Sequence, residues 1–335
     1  MNGEILIIIL HFAFALVATL LLVKWWISVA KKNELEGKDM NKYDKPLVVE
    51  SGGIAVVISI VLTLLLYIFF KTFVLKTETH LLEVSALIIT LILACFIGFI
   101  DDILGWKKGL RQWQKLLMTI PIAIPLMVIN VGESSMAVPF FGSVNFGLFY
   151  PLVFVLFGVI GATNGYNLLA GYNGLEASLG IIIFITLGIA SLVSNQLWLA
   201  LIAGTIVLSL FAFLLFNSFP AKIFPGDSLT YSLGALTAGF AVLGNMEKIA
   251  IILFLPFIAE GFLKAKSKFT AENFGKPKKD NSLEPPYKKT YSLTHFAIKL
   301  LKKIKPSHKV YEKDIVNIFL FLEIIIAIIV FICIL

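Results

Sequence analysis

Charged residues are scarce in this chain of 335 residues, in which Asp, Glu, Lys and Arg together account for only 15%. Hydrophobic residues make up 59%, a proportion typical of a polytopic helical membrane protein that has no large soluble domain. Cysteine is limited to Cys95 and Cys333, which lie far apart inside apolar runs. Neither a disulfide framework nor a thiolate metal site is therefore expected.

Two recognisable segments are also missing. The N-terminal residues Met1 to Ile5 lack a basic start, and no small-residue cleavage site follows, so we expect the first apolar run to be a retained membrane span rather than a removable signal peptide. The glycine-rich GxxxxGK[ST] loop that cradles nucleotide phosphates does not occur. Any nucleotide bound by this chain would have to be held in another way.

Apolar runs long enough to cross a bilayer dominate what is present. At about 20 residues per crossing they predict an all-α fold, a polytopic membrane helix bundle with about ten transmembrane helices. We expect one integral membrane domain over residues 1–335, with a Lys-rich loop at 264–314. The predicted spans are 4–23, 52–70, 81–100, 113–130, 146–163, 176–194, 197–216, 228–245, 248–263 and 315–335. The breaks around Asn195 and Asn245 are expected to be tight turns.

The positive charges predict the orientation of this bundle. Loops that follow odd-numbered spans carry 25 of the 28 Lys and Arg residues, and only Lys71, Lys76 and Lys248 lie on the other side. By the positive-inside rule, the lysine-rich face is cytoplasmic and both termini are outside. The sequence therefore predicts a multi-pass cell-membrane protein.

Three polar segments interrupt the apolar chain at the ends of predicted spans on that cytoplasmic face. They are FIGFIDDILG around Asp101 and Asp102, NGYNLLAGYNGLEAS from Asn164 to Ser178, and FPGD ending at Asp227. Carboxylates and carboxamides beside hydrocarbon are costly, so they indicate a functional site. Asp and Asn oxygens suit Mg²⁺ or Mn²⁺, and lysines suit phosphoryl oxygens. The combination favours phosphoryl transfer from a cytosolic nucleotide to a membrane-embedded acceptor.

Each polar segment also has a structural interpretation. Asp101 and Asp102 would then mark a helix end in solvated ion pairs with Lys107 and Lys108, and the asparagines would form turns. Asp227 would be a helix N-cap, and Glu176 an acid favoured at a helix start. The lone His11 in the first span is expected to be a buried imidazole, and His80 a surface residue.

With ESGG at Glu50 to Gly53 and FPGDSLTYSLGA from Phe224, these segments resemble the polyprenyl-phosphate N-acetylhexosamine-1-phosphate transferases of glycosyltransferase family 4. The similarity runs from Glu50 to about Gly244 and is greatest to the archaeal and eukaryotic UDP-GlcNAc:dolichyl-phosphate GlcNAc-1-phosphotransferases. It implies transfer of GlcNAc 1-phosphate from UDP-GlcNAc to a polyprenyl or dolichyl phosphate, with release of UMP, as the first membrane step of N-glycan assembly. Another UDP-N-acetylhexosamine is the alternative donor. The implied partners are these substrates and the bilayer; a homodimer is compatible, and no nucleic acid is involved.

The resemblance also implies roles for individual residues. Mg²⁺, with Mn²⁺ as a substitute, would be held by Asn167 and Asp227. The matching catalytic residues are Asp101 and Asp102, which orient or deprotonate the lipid phosphate or support the metal, and Lys115, which contacts phosphate. The expected substrate-binding residues are Glu50, Asn164, Asn173, Glu176, Phe224, Lys264, Lys266 and Lys268; among them Asn173 and Phe224 match uridine-binding positions.

The chain departs from the family pattern in its last cytoplasmic loop. Relatives carry a His-x-x-Pro-Arg-His-Arg string there, whereas this chain has FLKAKSKFTAENFGKPKK, in which Lys264, Lys266 and Lys268 would supply the charge. Lysine lacks the planar fork of arginine, so the sugar specificity stays open. Further along, Leu293, Phe296, Ala297, Leu300, Leu301 and Ile304 have helical spacing between lysines, which predicts an amphipathic helix on the anionic membrane surface.

Two other classes of protein deserve comparison. Membrane prenyltransferases use DDxxD motifs, but here Asp101 and Asp102 are followed by Ile103, Leu104 and Gly105, so the third acid is missing. A transporter would carry polar groups deep within its spans and an inverted repeat. The acids of this chain instead cluster at span ends, which favours the transferase.

Overall fold

The computed structural model describes residues 2–104, 112–130, 132, 135–138 and 142–333, and helices account for most of them. The helices are α1 (Asn2–Lys32), α2 (Gly53–Phe69), α3 (Leu81–Leu104), α4 (Gln112–Met118), α5 (Ile120–Val128), α6 (Leu156–Leu168), α7 (Leu175–Val193), α8 (Leu197–Asn217), α9 (Gly226–Gly244), α10 (Glu247–Leu253), α11 (Leu255–Ala265), α12 (Leu293–Ile304) and α13 (Glu312–Cys333). Short π-helical segments, Phe70–Val74 and Tyr150–Val155, follow α2 and precede α6.

In the part of the chain that the structure describes, three small antiparallel hairpins accompany the helices. They pair β1 (Glu36–Lys38) with β2 (Leu47–Val49), β3 (Ser135–Val138) with β4 (Gly142–Asn145), and β5 (Lys276–Pro277) with β6 (Leu283–Glu284). The prediction of a helical membrane bundle is confirmed, whereas the hairpins were not foreseen. Strands of two to four residues carry too little hydrophobic alternation to be detected in sequence.

Within the described ranges, seven helical segments are long and apolar enough to cross a membrane: Ile5–Lys32, Gly53–Val74, Leu81–Leu104, Tyr150–Leu168, Leu175–Val193, Leu197–Asn217 and Glu312–Ile332. The other three predicted spans fall on α4 with α5, on α9, and on α10 with α11. Two of these are broken just ahead of a proline, at Thr119 before Pro121 and at Phe254 before Pro256. Proline lacks a donor N–H, so it starts the next helix more readily than it continues the previous one.

The two predicted tight turns are confirmed. Asn195 between α7 and α8 has φ = +59°, and Asn245 between α9 and α10 has φ = +51°. Asparagine tolerates this left-handed conformation better than most other non-glycine residues, so each turn needs very few residues.

The histidine expectations hold as well. His11 is buried at 3% exposure, and its Nε2 lies 2.7 Å from Thr205 Oγ1 on α8. His80 is 41% exposed and lies 3.5 Å from a carboxylate oxygen of Glu83. Neither residue lies near the polar segments that the sequence singles out.

Helix α9 lies at the centre of the bundle, and every residue from Ser228 to Gly244 is buried. Two glycines allow its close packing against neighbouring helices. A Cβ on Gly98 of α3 would lie 2.3 Å from Asp227 O, and a Cβ on Gly234 of α9 itself would lie 2.3 Å from Ala162 O of α6. The backbones of α3, α9 and α6 can therefore approach more closely than ordinary side chains permit. This contact brings the end of α3 against the start of α9.

The central helix is unusually polar for a buried one, but its hydroxyl groups are satisfied locally. Ser232 donates to Ser228 O at 2.6 Å, and Thr237 donates to Leu233 O at 2.8 Å. Hydrogen bonds to the preceding turn remove the cost of burying these hydroxyls. Because protein surrounds α9, this helix does not need an apolar surface that faces lipid.

The Lys-rich loop at 264–314 contains the β5–β6 hairpin and helix α12. Ser292 caps α12 by accepting a hydrogen bond from Thr294 N at 3.1 Å. The amphipathic helix predicted here is present, but the predicted apolar set is divided between its faces. Ala297 is buried at 3% exposure, whereas Phe296 and Ile304 are 53% and 65% exposed.

Candidate active site

A cavity of about 820 Å³ lies where α3 and α6 end and α9 begins. It is lined by parts of all three polar segments, by the strand β1, and by residues 269–274, which we call the cavity wall. Ten of the thirteen predicted site residues line it: Glu50, Asp101, Asp102, Lys115, Asn167, Asn173, Glu176, Phe224, Asp227 and Lys264. Residues separated by more than 200 positions in the chain thus meet at one place.

An ion-paired cluster occupies the floor of this cavity. Lys115 of α4 pairs with Asp101 at the end of α3, and its Nζ lies 3.3 Å from Asp227 Oδ2 at the start of α9. The Asp101 side chain is 3% exposed, so it does not belong to a solvated loop. We call Asp101, Asp102, Lys115 and Asp227 the helix-end cluster. Lys107 and Lys108, the alternative partners expected from sequence, lie outside the described residues.

The adjacent aspartates of the pair make different contacts. Asp102 accepts hydrogen bonds from Asp227 N at 2.7 Å and from Ser228 N at 3.3 Å, and also from the Ser51 side chain. Its carboxylate therefore caps the first turn of α9, which has free N–H groups and the positive end of the helix dipole. The N-cap role that one interpretation of the sequence gave to Asp227 belongs to Asp102.

The approach of Asp102 depends on a glycine. Gly226 has φ = +69°, and a Cβ there would lie 2.3 Å from Asp102 Oδ2. A residue with a side chain would be strained in this conformation and would also displace the carboxylate. Gly226 therefore belongs to the site, although it carries no reactive group.

The ESGG segment supports the FPGD turn from the other side. Phe224 N donates to Val49 O at 2.7 Å, while Gly52 N and Gly53 N donate to Phe224 O and Pro225 O, each at 2.8 Å. A Cβ on Gly53 would lie 2.2 Å from Leu229 N. The two glycines thus let one backbone lie directly on the other, and this fixes the position from which Asp227 projects.

Glu50 precedes those glycines and faces the cavity. Burial raises the pKa of the Glu50 carboxyl to about 7, and the negative charge of Asp227 contributes in the same direction. Glu50 therefore changes its charge near neutral pH.

Asn164 and Asn167 lie on α6 but have different surroundings. Asn164 Nδ2 donates to Thr119 Oγ1 at 3.0 Å and to Ile160 O at 2.9 Å, and Asn164 does not line the cavity. Asn167 lines it, and its Nδ2 is buried without a hydrogen-bond partner among the described residues. The unpartnered carboxamide of Asn167 thus lies at the cavity that the helix-end cluster also lines. Asn164 instead joins α6 to the junction between α4 and α5.

The donor set fits a divalent cation that is completed by substrate. Among the described residues, no group of three or more His, Cys, Asp or Glu side chains forms a ready-made metal cage. Mg²⁺ does not require one, because it is usually bound by one or two protein oxygens together with waters and substrate phosphates. The carboxylate of Asp227 and the unpartnered carboxamide of Asn167, whose oxygen and nitrogen can exchange places by a flip, suit such a site.

Asn173 is held by a buried network that the sequence did not reveal. Its Nδ2 donates to Asp39 Oδ2 at 3.1 Å, and its backbone N donates to Glu312 Oε1 at 2.7 Å. Lys42 pairs with both Asp39, at 3.2 Å, and Glu312. These residues are spread from the first loop to the last helix, so only the fold brings them together.

Glu176 closes the loop in which Asn173 lies. Its Oε1 accepts a hydrogen bond from Gly171 N at 2.6 Å, while its buried Oε2 lacks a hydrogen-bond partner among the described residues. The residue lies in the first turn of α7, as the structural interpretation expected, and it also lines the cavity. Glu176 therefore combines a structural contact with one oxygen left for a ligand.

The three lysines predicted in the last loop have different positions. Lys264 is 5% exposed and lines the cavity, where its Nζ donates to Ala271 O of the cavity wall. Lys266 and Lys268 are exposed and do not line the cavity. Of the three, only Lys264 therefore has the placement that a substrate contact requires.

The cavity wall contains residues that sequence reasoning missed. Asn273 Nδ2 donates to Leu168 O at 2.6 Å and to Ala170 O at 2.9 Å, while its buried Oδ1 has no hydrogen-bond partner among the described residues. Phe274 packs so closely on Gly171 that a Cβ there would lie 2.7 Å from the ring. The only sequence signal was the AENF string within an otherwise lysine-rich loop.

Comparison with known proteins gives a consistent set of relatives. The model of the glycosyl transferase family 4 matches residues 84–245, from α3 to the end of α9. A Saccharolobus solfataricus protein named as a UDP-N-acetylglucosamine–dolichyl-phosphate N-acetylglucosaminephosphotransferase is 34% identical over 300 residues, 89% of each chain. A Sulfolobus acidocaldarius protein of the same name is 32% identical over 88% of each chain. A phospho-N-acetylmuramoyl-pentapeptide-transferase of Clostridium perfringens is 34% identical over 49% of this chain and 54% of its own.

Proposed function

Because this chain belongs to glycosyl transferase family 4, we propose that it transfers N-acetylglucosamine 1-phosphate from UDP-GlcNAc to a polyprenyl or dolichyl phosphate and releases UMP. The observation that carries the proposal is the meeting of Asp101, Lys115, Asn167 and Asp227 at one cavity between the ends of apolar helices. A site at that level is accessible to a nucleotide from water and to a phosphate carried by a lipid.

The donor sugar is proposed from the extent of the similarity. The relatives named for UDP-N-acetylglucosamine align with 88–89% of this chain at 32–34% identity, whereas the muramoyl-pentapeptide relatives align with between 49% and 73% of it. The cavity wall lies beyond residue 245, where the match to the family model ends. A wall lined by Asn273 and Glu272 would offer amide and carboxylate groups to sugar hydroxyls.

In the proposed reaction, an oxygen of the lipid phosphate attacks the β-phosphorus of UDP-GlcNAc. The bond from that phosphorus to the bridging oxygen breaks, UMP leaves with the electron pair, and a lipid-linked sugar diphosphate forms. Lys115 holds positive charge between two carboxylates and would donate hydrogen bonds to phosphoryl oxygens. Asp101, whose buried carboxylate pairs with Lys115, would receive or orient the acceptor proton.

Asp102 has a positioning role in this scheme. Its carboxylate is occupied by Asp227 N, Ser228 N and the Ser51 side chain, so it orients the start of α9 rather than meeting the substrate. Asn167 and Asp227 would hold Mg²⁺ or Mn²⁺, which when bound neutralises charge on the donor diphosphate. Asn173 and Phe224 would contact the uridine, with Phe224 lying against the base.

The membrane arrangement belongs to the same proposal. The ten predicted spans, with the cavity on the cytoplasmic face and both termini outside, are supported by the excess of lysine on that face. UDP-sugars are made in the cytosol, so this orientation would deliver the donor directly to the cavity. Labelling of single-cysteine variants at Lys279 and Lys76 with a membrane-impermeant reagent would test it, since the two positions are expected on opposite sides.

The decisive experiment measures UMP release and lipid product by mass spectrometry. Purified protein would be incubated with UDP-GlcNAc, polyprenyl phosphate and Mg²⁺. Asp227→Ala and Asn167→Ala are each expected to reduce UMP release on the order of 100-fold or more, because each removes a group placed at the reacting phosphates. EDTA is expected to stop the reaction and Mg²⁺ or Mn²⁺ to restore it.

Lys266→Ala is the matched control for these variants, because Lys266 is exposed and lies outside the cavity lining. It is expected to retain the activity of the unaltered protein. Full turnover in the Asp227 or Asn167 variant would contradict the assignment of these residues. Uptake of substrate into proteoliposomes without UMP release would instead indicate a transporter.

A further inference from the structure

Helix α12 presents two different faces. The inner face is formed by Thr294, His295, Ala297 and Ile298, all of which are buried. On the outer face, Phe296 and Ile304 are 53% and 65% exposed, and the half-buried Leu300 lies between them at the same helical spacing. A water-facing helix does not normally carry large apolar side chains at positions i, i+4 and i+8.

Both ends of α12 are fastened to other helices. At its start, Leu293 N donates to Glu260 Oε2 of α11 at 2.6 Å. Immediately after its end, Lys305 Nζ binds Asp314 Oδ2 in the first turn of α13 at 2.7 Å. Twelve residues span about 18 Å, so α12 bridges the ends of these two helices. Since α13 is apolar enough to cross a membrane, the bridge lies at the level where that crossing begins.

Lysines beside the outer face are available to anions. Lys303 is exposed and forms no ion pair with any residue that the structure describes. By contrast, Lys302 pairs with Glu284, and Lys299 Nζ donates to Lys288 O and Thr290 Oγ1. Lys266 and Lys268 add further exposed charge on the connection that leads from α11. An apolar strip with lysines at its margin complements the headgroup region of an anionic leaflet.

The inner face of the same helix supports the cavity wall. Thr294 Oγ1 donates to Asn273 O at 2.7 Å, and His295 Nε2 lies 2.9 Å from Glu272 O. Burial lowers the pKa of the His295 imidazole to about 4, so the ring is neutral at physiological pH and can donate one hydrogen bond to that carbonyl. The helix therefore has one face on the wall and one face without a protein partner among the described residues.

We propose that α12 is an interfacial helix whose Phe296, Leu300 and Ile304 side chains insert among the headgroups of an anionic leaflet, and that this docking steadies the cavity wall. The bilayer then acts on the site through a helix that touches the wall but does not line the cavity. This goes beyond the transferase activity, and it would hold whatever sugar or lipid the site accepts.

Site-directed spin labelling tests the docking. Single cysteines would be introduced at 296, 300, 303 and 304 in a background with Cys95→Ala and Cys333→Ser, and the labelled protein placed in nanodiscs containing about 30% phosphatidylglycerol. Labels at 296, 300 and 304 are expected to collide with oxygen several-fold more often than with a water-soluble nickel chelate. Lys279→Cys on the exposed β5–β6 turn is the control and is expected to show the reverse ratio.

Either of two outcomes would overturn the docking. If labels at 296 and 304 met the nickel chelate as readily as the label at 279, the face would be solvated. If they met neither reagent, a protein would cover the face. Because neither measurement involves catalysis, failure of this proposal is distinguishable from failure of the proposed function.

A second label tests the coupling to the wall. A label on Thr270→Cys, in the cavity wall, is expected to become markedly more mobile when Phe296→Ser and Ile304→Ser are combined, or when the nanodisc lipid is changed to neutral phosphatidylcholine. Leu82→Ser, an exposed apolar residue at the start of α3, is the matched control and should leave the mobility unchanged. An unchanged Thr270 label in the double variant would refute the coupling.

Discussion

The helix-end cluster and the cavity wall face the same cavity but are built differently. The cluster depends on backbones in direct contact, with Gly98 and Gly226 at the points of closest approach. The wall is a loop whose backbone carbonyls are held by side chains, such as Lys264 on Ala271 and Thr294 on Asn273. The first construction fixes positions through the packing of the helices, whereas the second can vary without disturbing the bundle.

The family match follows this division. It covers residues 84–245, which contain Asp101, Lys115, Asn167 and Asp227, and it ends before the wall begins. We infer that the cluster carries the chemistry shared by the family, while the wall adjusts the site to one substrate. The cluster should therefore control kcat, and the wall should control KM.

The largest expected effect separates the two aspartates of the cluster. Asp101→Asn removes a carboxylate that pairs with Lys115 and that we propose orients the acceptor, so UMP release should fall by about 10³-fold. Asp102→Asn keeps one oxygen to accept from Asp227 N, so the loss should be only about tenfold. Steady-state assays of both variants measure the difference, and equal losses would contradict the division of roles.

Gly226→Ala tests the close approach that places Asp227. The new Cβ would strain a left-handed residue and displace Asp102, and a shift of about 1 Å in catalytic groups can cost about 100-fold in kcat. Gly161→Ala is the matched control, because a Cβ there meets nothing within 4 Å. Its activity should be unchanged. If the Gly226 variant kept a normal kcat, the carboxylates of the helix-end cluster would tolerate displacement, as we expect of the cavity wall.

Asn273→Ala tests the wall. It removes the hydrogen bonds to Leu168 O and Ala170 O, which should loosen the wall without moving the cluster. We expect KM for UDP-GlcNAc to rise by about three- to tenfold, with little change in kcat. If the variant instead lost kcat at unchanged KM, Asn273 would act in the chemical step. That result would contradict the expectation that the cavity wall controls KM.

Glu50→Gln gives the smallest effect, on stability. The Glu50 pKa is raised to about 7 in the folded protein, whereas an ordinary Glu titrates near 4.5. Between these values the folded state holds the proton more firmly than the unfolded one, so this residue makes folding less favourable as pH rises through that window. Thermal unfolding in detergent should show the variant gaining roughly a few degrees over the unaltered protein at pH 8, and no such gain at pH 4.5.

Much of the cluster was predictable from the sequence, because its residues lie in short polar strings at the ends of apolar runs. Asp101, Asp102 and Asp227 were each expected there, and the cavity brings them together with Asn167. The division between Asp101 and Asp102 was not predictable. It depends on how the last turn of α3 meets the start of α9, where Asp102 accepts from the backbone N–H groups of Asp227 and Ser228 while Asp101 pairs with Lys115.

Other features of the site were not predictable for similar reasons. Asn164 and Asn167 lie in the same polar segment, and the sequence does not distinguish them. In the structure, Asn164 donates a hydrogen bond to Thr119 at the break between α4 and α5. Lys264 differs from Lys266 only in lying on the inner face of the last turn of α11. The network around Asn173 joins residues far apart in the chain, and no local pattern marks it.

The enclosure of α9 has a consequence for biogenesis. Helix α9 carries the hydroxyl residues Ser228, Thr230, Ser232 and Thr237, and it is not among the seven described segments that are apolar enough to cross a membrane. It therefore gains little by partitioning into hydrocarbon, and insertion machinery would release it into the bilayer only alongside helices that shield it. Its two close neighbours, α3 and α6, are both synthesised earlier. The order of translation thus provides packing partners before the helix that carries Asp227 is made. A rearranged gene that encoded α9 first would produce this helix before any partner could shield it in the bilayer.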